Sequence, residues 1–153
     1  MQKILIVSIL LTFSLNVIAN VNFNADDELK ELGIIGQDFE YIDLELATEF
    51  FKTGSEEAAS SFPYKSNDVV EIVSAFMTPY YSSVTIRPLL EQSEEEEKEM
   101  IDFMRTEESL QEWCKELFKF NYMMVNDHQV ELFYINKVGE EFGLVMLNNK
   151  TCR

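Results

Sequence analysis

Residues 130–153, VELFYINKVGEEFGLVMLNNKTCR, decide the fold. Val130, Leu132 and Tyr134 alternate with Glu131 and Phe133, and after a break Phe142, Leu144 and Met146 recur at the same spacing. A period of two marks a strand whose two faces meet different surroundings. Between the runs NKVG supplies a turn, and Gly139 can take the left-handed backbone such turns often need. The stretch therefore reads as a hairpin, with Cys152 one residue from its end.

The only other cysteine is Cys114. Around it Leu110, Trp113, Cys114, Leu117 and Phe118 fall at i, i+3, i+4, i+7 and i+8, which is one stripe of a helix, so Cys114 faces a core. The compartment decides what two distant cysteines do. Residues 1–19 carry Lys3, an apolar run from Ile4 to Phe13, and Val17 and Ala19 at the minus-three and minus-one positions of a cut after Ala19. That is the anatomy of a secretory signal peptide, leaving residues 20–153 as one domain. The run is short of the roughly 20 apolar residues that span a bilayer. Asn20 after the cut, in place of cysteine, does not read as a lipoprotein. Export delivers the thiols to an oxidising compartment, so a Cys114–Cys152 disulfide is expected. It closes a loop of about 39 residues and contributes roughly 3–4 kcal/mol in the chain-entropy account.

Upstream, ADDELKEL (25–32) reads as a short helix with acids at its positive end. Tyr41, Leu44, Thr48 and Phe51 predict a second helix over 38–52, with Gly54 as its C-cap and Ser55 opening a further turn. DVVEIVSAFM and VTIRPLL predict strands at 69–77 and 83–90 joined by TPYYSS. Pro88 places that second strand at an edge or ends it early. QSEEEEKEMIDFMRTEESLQEWCKELFKF is helical, with Ser93 and Thr106 as caps. Residues 119–125 fit either period. The order is helix, hairpin, helix, hairpin: a single α+β domain with an antiparallel sheet of two hairpins and its helices on one face.

The stretches FKTGSEEAASSFPYKSNDVVEIVSAFMTPYY, SLQEWC and the closing hairpin together resemble a group of small exported proteins of Gram-negative bacteria. That group runs helix, hairpin, helix ending in cysteine, and hairpin ending in cysteine, and the likeness covers roughly residues 40–152. It implies the same fold and a periplasmic or secreted location, and it carries over no catalytic residue. The acidic run at 93–99 and the INKVG turn depart from the pattern.

Charge bounds the partners. Twenty-eight acids against 12 lysines and arginines give a formal charge of -16, and loss of Lys3 with the leader makes it -17. Such a balance disfavours nucleic acid and anionic membrane, and suits a basic protein. The exposed candidate for that contact is Glu94, Glu95, Glu96, Glu97 and Glu99, which lack the DxDxDG spacing of a calcium loop. His128, the only histidine, stands beside Asp127 at a turn. Adjacent positions do not set a carboxylate on the imidazole, and no GxSxG elbow accompanies them, so a surface histidine is expected. Two cysteines and one histidine fall short of a zinc set, and no cofactor motif is present. Phe50, Phe51, Phe118, Phe120, Tyr122, Phe133 and Tyr134 are at core spacing. The leading expectation is a non-enzymatic exported binding protein, in its sharpest form an inhibitor or immunity-type factor against a basic envelope-acting protein. The alternative is a binder of a small apolar ligand, of the cone-shaped cystatin-like α+β type.

Overall fold

The computed structural model describes residues 24–66 and 68–152; the expected leader and its cleavage site lie outside them. Helix α1 (Ala25–Glu31) starts at Asn24, whose side chain accepts from the Asp26 N–H. Helix α2 (Leu44–Ala59) starts at Asp43, which accepts from the Leu46 N–H. The helix expected at 38–52 is thus shifted along the chain. Its first residues instead make a turn, with Phe39 at φ 68°, the Gly36 N–H bonded to the Glu40 carbonyl, and Ile35 bridged to Tyr41. At the other end α2 runs through Gly54, because its buried stripe Ala47, Phe51 and Ser55 continues past it. Burial of that stripe outweighs the ~1 kcal/mol a helical glycine costs.

A two-residue strand β1 (Tyr64–Lys65), which the sequence did not suggest, pairs with β2 (Val70–Met77), and β2 forms the first hairpin with β3 (Tyr81–Pro88). Pro88 ends β3. The neighbouring ladder on the far side stops at Ile86, so the missing N–H goes unused. Helix α3 (Glu94–Met104) opens on a capping box between Ser93 and Glu96, and α4 (Glu107–Leu117) on the Thr106 hydroxyl. The ambiguous 119–125 stretch contains a helix, α5 (Asn121–Val125). The Asp26 carboxylate decides it, accepting from the N–H groups of Asn121 and Tyr122 at 2.8 and 3.0 Å, so α1 caps α5. Strands β4 (Gln129–Ile135) and β5 (Glu141–Leu147) form the second hairpin around Gly139, at φ 89°.

The five strands form one sheet in the order β1-β2-β3-β4-β5. Each hairpin is antiparallel, as expected, but the hairpins meet through a parallel β3·β4 ladder from Tyr81↔Gln129 to Ile86↔Tyr134. The crossover through α3, α4 and α5 causes this: it returns the chain to the end where β3 began. Ser82, Val84 and Ile86 of β3, Val130, Leu132 and Tyr134 of β4, and Val145 and Leu147 of β5 are buried under the helices. In β5 the inward positions are therefore the odd ones, and Met146 faces out. At Gly143 an added Cβ would land inside the Ile101 side chain of α3.

Cys114 and Cys152 are bonded, with Cα atoms 5.2 Å apart, and tie the end of the chain after β5 to α4. The backbone of β5 is also engaged at one carbonyl. Arg105, the C-cap of α3, donates from Nε and Nη2 to the Leu144 carbonyl at 3.1 and 2.9 Å.

Candidate functional site: an acidic helix start beside a shallow cleft

The five acids lie in the first turns of α3, where N-terminal backbone N–H groups favour negative charge. Glu96 serves the helix itself, since its Oε2 accepts from the Ser93 N–H at 2.8 Å and the Ser93 hydroxyl at 2.9 Å. Those bonds, backbone first, hold its carboxyl below the usual range. Glu94, Glu95 and Glu99 stand exposed, and Glu97 is half-buried. Among the described residues only Glu56, Glu71 and Glu112 have a cationic nitrogen within 4 Å, so the α3 acids are uncompensated.

Glu97 also lines a cleft of about 160 Å³ where the ends of β3 and β4 meet the start of α3, with Leu90, Glu91, Gln92, Lys137 and Val138. Leu90 is 68% exposed and Val138 80%. Two aliphatic side chains held in water beside unpaired acids make a surface that attracts cations and can bury apolar area. Sequence reasoning found the acids and missed the aliphatics. Leu90 follows a strand and Val138 sits inside a turn, 48 positions apart, and only the parallel pairing of β3 with β4 brings them together.

His128 corrects an expectation. It is fully buried, at 0% exposure, rather than on the surface. Its two ring nitrogens contact the Pro79 carbonyl through Nδ1 at 2.9 Å and the Ser82 hydroxyl through Nε2 at 2.8 Å. Since the carbonyl can only accept, Nδ1 carries the proton and Nε2 accepts from Ser82. Both nitrogens are satisfied, so the neutral ring tolerates burial, and burial lowers the imidazole pKa. Asp127 is turned away and accepts from Asn149 Nδ2. Ser82 and His128 have the contact of a nucleophile and its base, but Ser82 is 8% exposed, a backbone carbonyl holds the far nitrogen, and Tyr122 packs against the ring. They link the turn before β3 to the start of β4.

Of the aromatics at core spacing, Phe51, Phe118, Tyr122 and Tyr134 are buried, Phe50 and Phe120 pack against them, and Phe133 is half-buried on the uncovered face. An apolar concavity of about 480 Å³ does occur, as an open groove at the rim of the sheet between α2 and β2. Among the described residues no three His, Cys, Asp or Glu side chains are grouped to hold a metal ion, and no helix is long and apolar enough to cross a membrane.

No protein-family model and no curated protein matches the chain. Three solved structures align with part of it. The pilotin EpsS of the Vibrio vulnificus type 2 secretion system has a TM-score of 0.49 at 7% identity, over 72% of this chain and 94% of its own. A Pseudomonas aeruginosa protein thought to be secreted scores 0.48 at 8% identity, over 73% and 97%. The type II secretion system pilotin AspS of Vibrio cholerae scores 0.47 at 7%, over 71% and 94%. At such scores these likenesses carry no argument about family or activity.

Proposed function

We propose that the protein is an exported, non-enzymatic binding protein that takes a basic protein partner on the face formed by the start of α3 and the adjoining cleft. The observation that carries the reading is the set Glu94, Glu95, Glu97 and Glu99 at the start of α3, none of them in an ion pair, with Glu97 lining the cleft that holds exposed Leu90 and Val138. The acids draw a cationic surface in and orient it; burying the aliphatics then slows its release. Full burial of one such side chain is worth about 1.5–3 kcal/mol. The sealed Ser82–His128 pair supports the non-enzymatic half of the reading. In its finer form the protein is a periplasmic inhibitor or immunity-type factor, shielding the envelope from a basic protein by occupying its surface.

The test is recovery of partners from a cell-envelope extract at about 0.05 M and about 0.5 M salt, a range over which surface electrostatics are screened. The natural protein should retain a basic protein at the low salt and lose it at the high one. The quadruple variant Glu94→Gln, Glu95→Gln, Glu97→Gln, Glu99→Gln should lose it at both, and Leu90→Ala with Val138→Ala should weaken it without changing its salt response. Recovery of the same protein by the quadruple variant would sink the reading.

A further inference from the structure

The polar lining of the cleft beside α3 is uneven. Glu91 and Glu97 offer carboxylates, and among the described residues no cationic nitrogen lies within 4 Å of either. Asn136 adds no acceptor, since its Oδ1 already takes the Val138 and Glu140 N–H groups at 3.1 and 2.9 Å. The one cation in the lining is Lys137. Gln92 supplies an acceptor of another kind. Its Oε1 is shut from water and has no donor among the described residues. Its Nε2 makes only a 3.9 Å contact with Met100 Sδ, a weak tether that lets the amide turn. An enclosed amide oxygen without a donor is an unfavourable state that calls for a cause.

We propose that the cleft takes a lysine side chain of the partner, its stem along Leu90 and Val138 and its ammonium among Glu91, Glu97 and the Gln92 amide oxygen. The proposal rests on the reading that the partner is basic, and it names the group that enters the cleft.

The inventory of the lining chooses the occupant. Two carboxylates and an orphaned amide oxygen lack donors, and an ammonium brings three donors and no acceptor. The acceptors belong to three separate groups, Glu91 and Gln92 before the Ser93 cap and Glu97 after it. A guanidinium does best as a flat fork on one carboxylate, whereas scattered acceptors suit a point charge with radiating donors. Leu90 and Val138, exposed and aliphatic, gain from a methylene stem laid against them. At about 160 Å³ the cleft falls short of the roughly 300 Å³ at which small-molecule sites begin, and it suits one side chain. A lysine from a second copy arrives with a formal charge of -16 of its own, which repels it.

The probe is Nα-acetyl-lysine-N-methylamide, followed by backbone amide shifts in two-dimensional NMR. Saturable shifts confined to residues 89–92, 97 and 136–138 are expected. The norleucine analogue, which keeps the stem and lacks the ammonium, should bind at least about tenfold more weakly, a difference of about 1.4 kcal/mol. The arginine analogue should also bind more weakly than the lysine one. Glu91→Gln and Glu97→Gln should each weaken the lysine probe, and Lys137→Gln, which removes the competing cation, should tighten it. Gln92→Leu separates the site from the fold: it removes an acceptor that has no donor, so stability to urea should hold or rise while lysine binding falls. Absence of saturable shifts, shifts spread along α3, equal binding of the norleucine or arginine probe, or unaltered lysine binding by Gln92→Leu would each overturn the proposal. A chain that retains a basic envelope protein yet ignores the lysine probe would end this proposal and leave the basic partner standing. Saturable lysine binding with no protein retained would instead count against the partner.

Discussion

Replacing Gly143 by alanine tests how closely α3 sits on β5. Alanine suits a strand, and where no clash exists the lost unfolded-state freedom makes such a change favourable by about 0.4–1 kcal/mol. Here the new Cβ would lie 2.2 Å from both Cδ1 and Cγ1 of Ile101, a side chain 4% exposed. Overpacking of this kind costs about 1–3 kcal/mol, so Gly143→Ala should destabilise by about 1–2 kcal/mol. Ile101→Ala removes the three atoms nearest the methyl and alone costs about 2–5 kcal/mol. In that background the glycine change should turn neutral or slightly stabilising, because the methyl enters space already vacated. The disappearance of the cost is the prediction, and it corresponds to a coupling of about 1–2.5 kcal/mol, within the range seen for contacting residues. Urea unfolding followed by the fluorescence of Trp113, the one tryptophan and a buried one, reads all four proteins. Equal costs in the two backgrounds would refute the contact.

Three further outcomes follow from other parts of the molecule. The double variant Cys114→Ala, Cys152→Ala loses a tie across 38 positions and should unfold about 3–4 kcal/mol more easily under non-reducing conditions, whereas a reducing agent should change only the natural protein. His128 has a folded-state pKa below its unfolded value of about 6.5, so the unfolded chain binds the extra proton as pH falls. The stability it contributes is complete above that value and declines below it, and His128→Gln should flatten the profile of unfolding free energy in that window. Asp26→Ala strips the acceptor from three donors, the Asn121 and Tyr122 N–H groups and Asn121 Nδ2, and should cost about 2–4 kcal/mol, with the Asn121 and Tyr122 amides losing exchange protection first.

The parts legible in the sequence were those written by local periodicity. Both hairpins, the caps at Ser93 and Thr106, and the disulfide follow from alternation, helical spacing and the compartment expected from the leader. What escaped depends on residues far apart. Nothing within 119–125 chooses helix over strand, because the group that caps the helix is Asp26, some 95 positions earlier. Gly54 reads locally as a stop, yet the tertiary burial of Ser55 and Phe51 carries α2 past it. His128 reads as a turn residue because its partners, Ser82 and the Pro79 carbonyl, arrive from the other hairpin. The parity of β3 held a hint, since Ser82 falls on the same face as Val84 and Ile86, a hydroxyl in line with the core. The candidate site was half legible for the same reason: a run of glutamates is visible in one dimension, and its aliphatic companions are not.

The guanidinium across β5 bears on how copies of this chain meet one another. A sheet grows into a fibre only when successive molecules can dock flank to flank, each leaving a fresh flank for the next. Arg105 sets a charged plug on one carbonyl of one flank, and the other flank ends in β1, two residues long, with Ser55 of α2 bonded to Met77 of β2 beyond it. Both devices shorten the run of backbone that a neighbouring molecule could join.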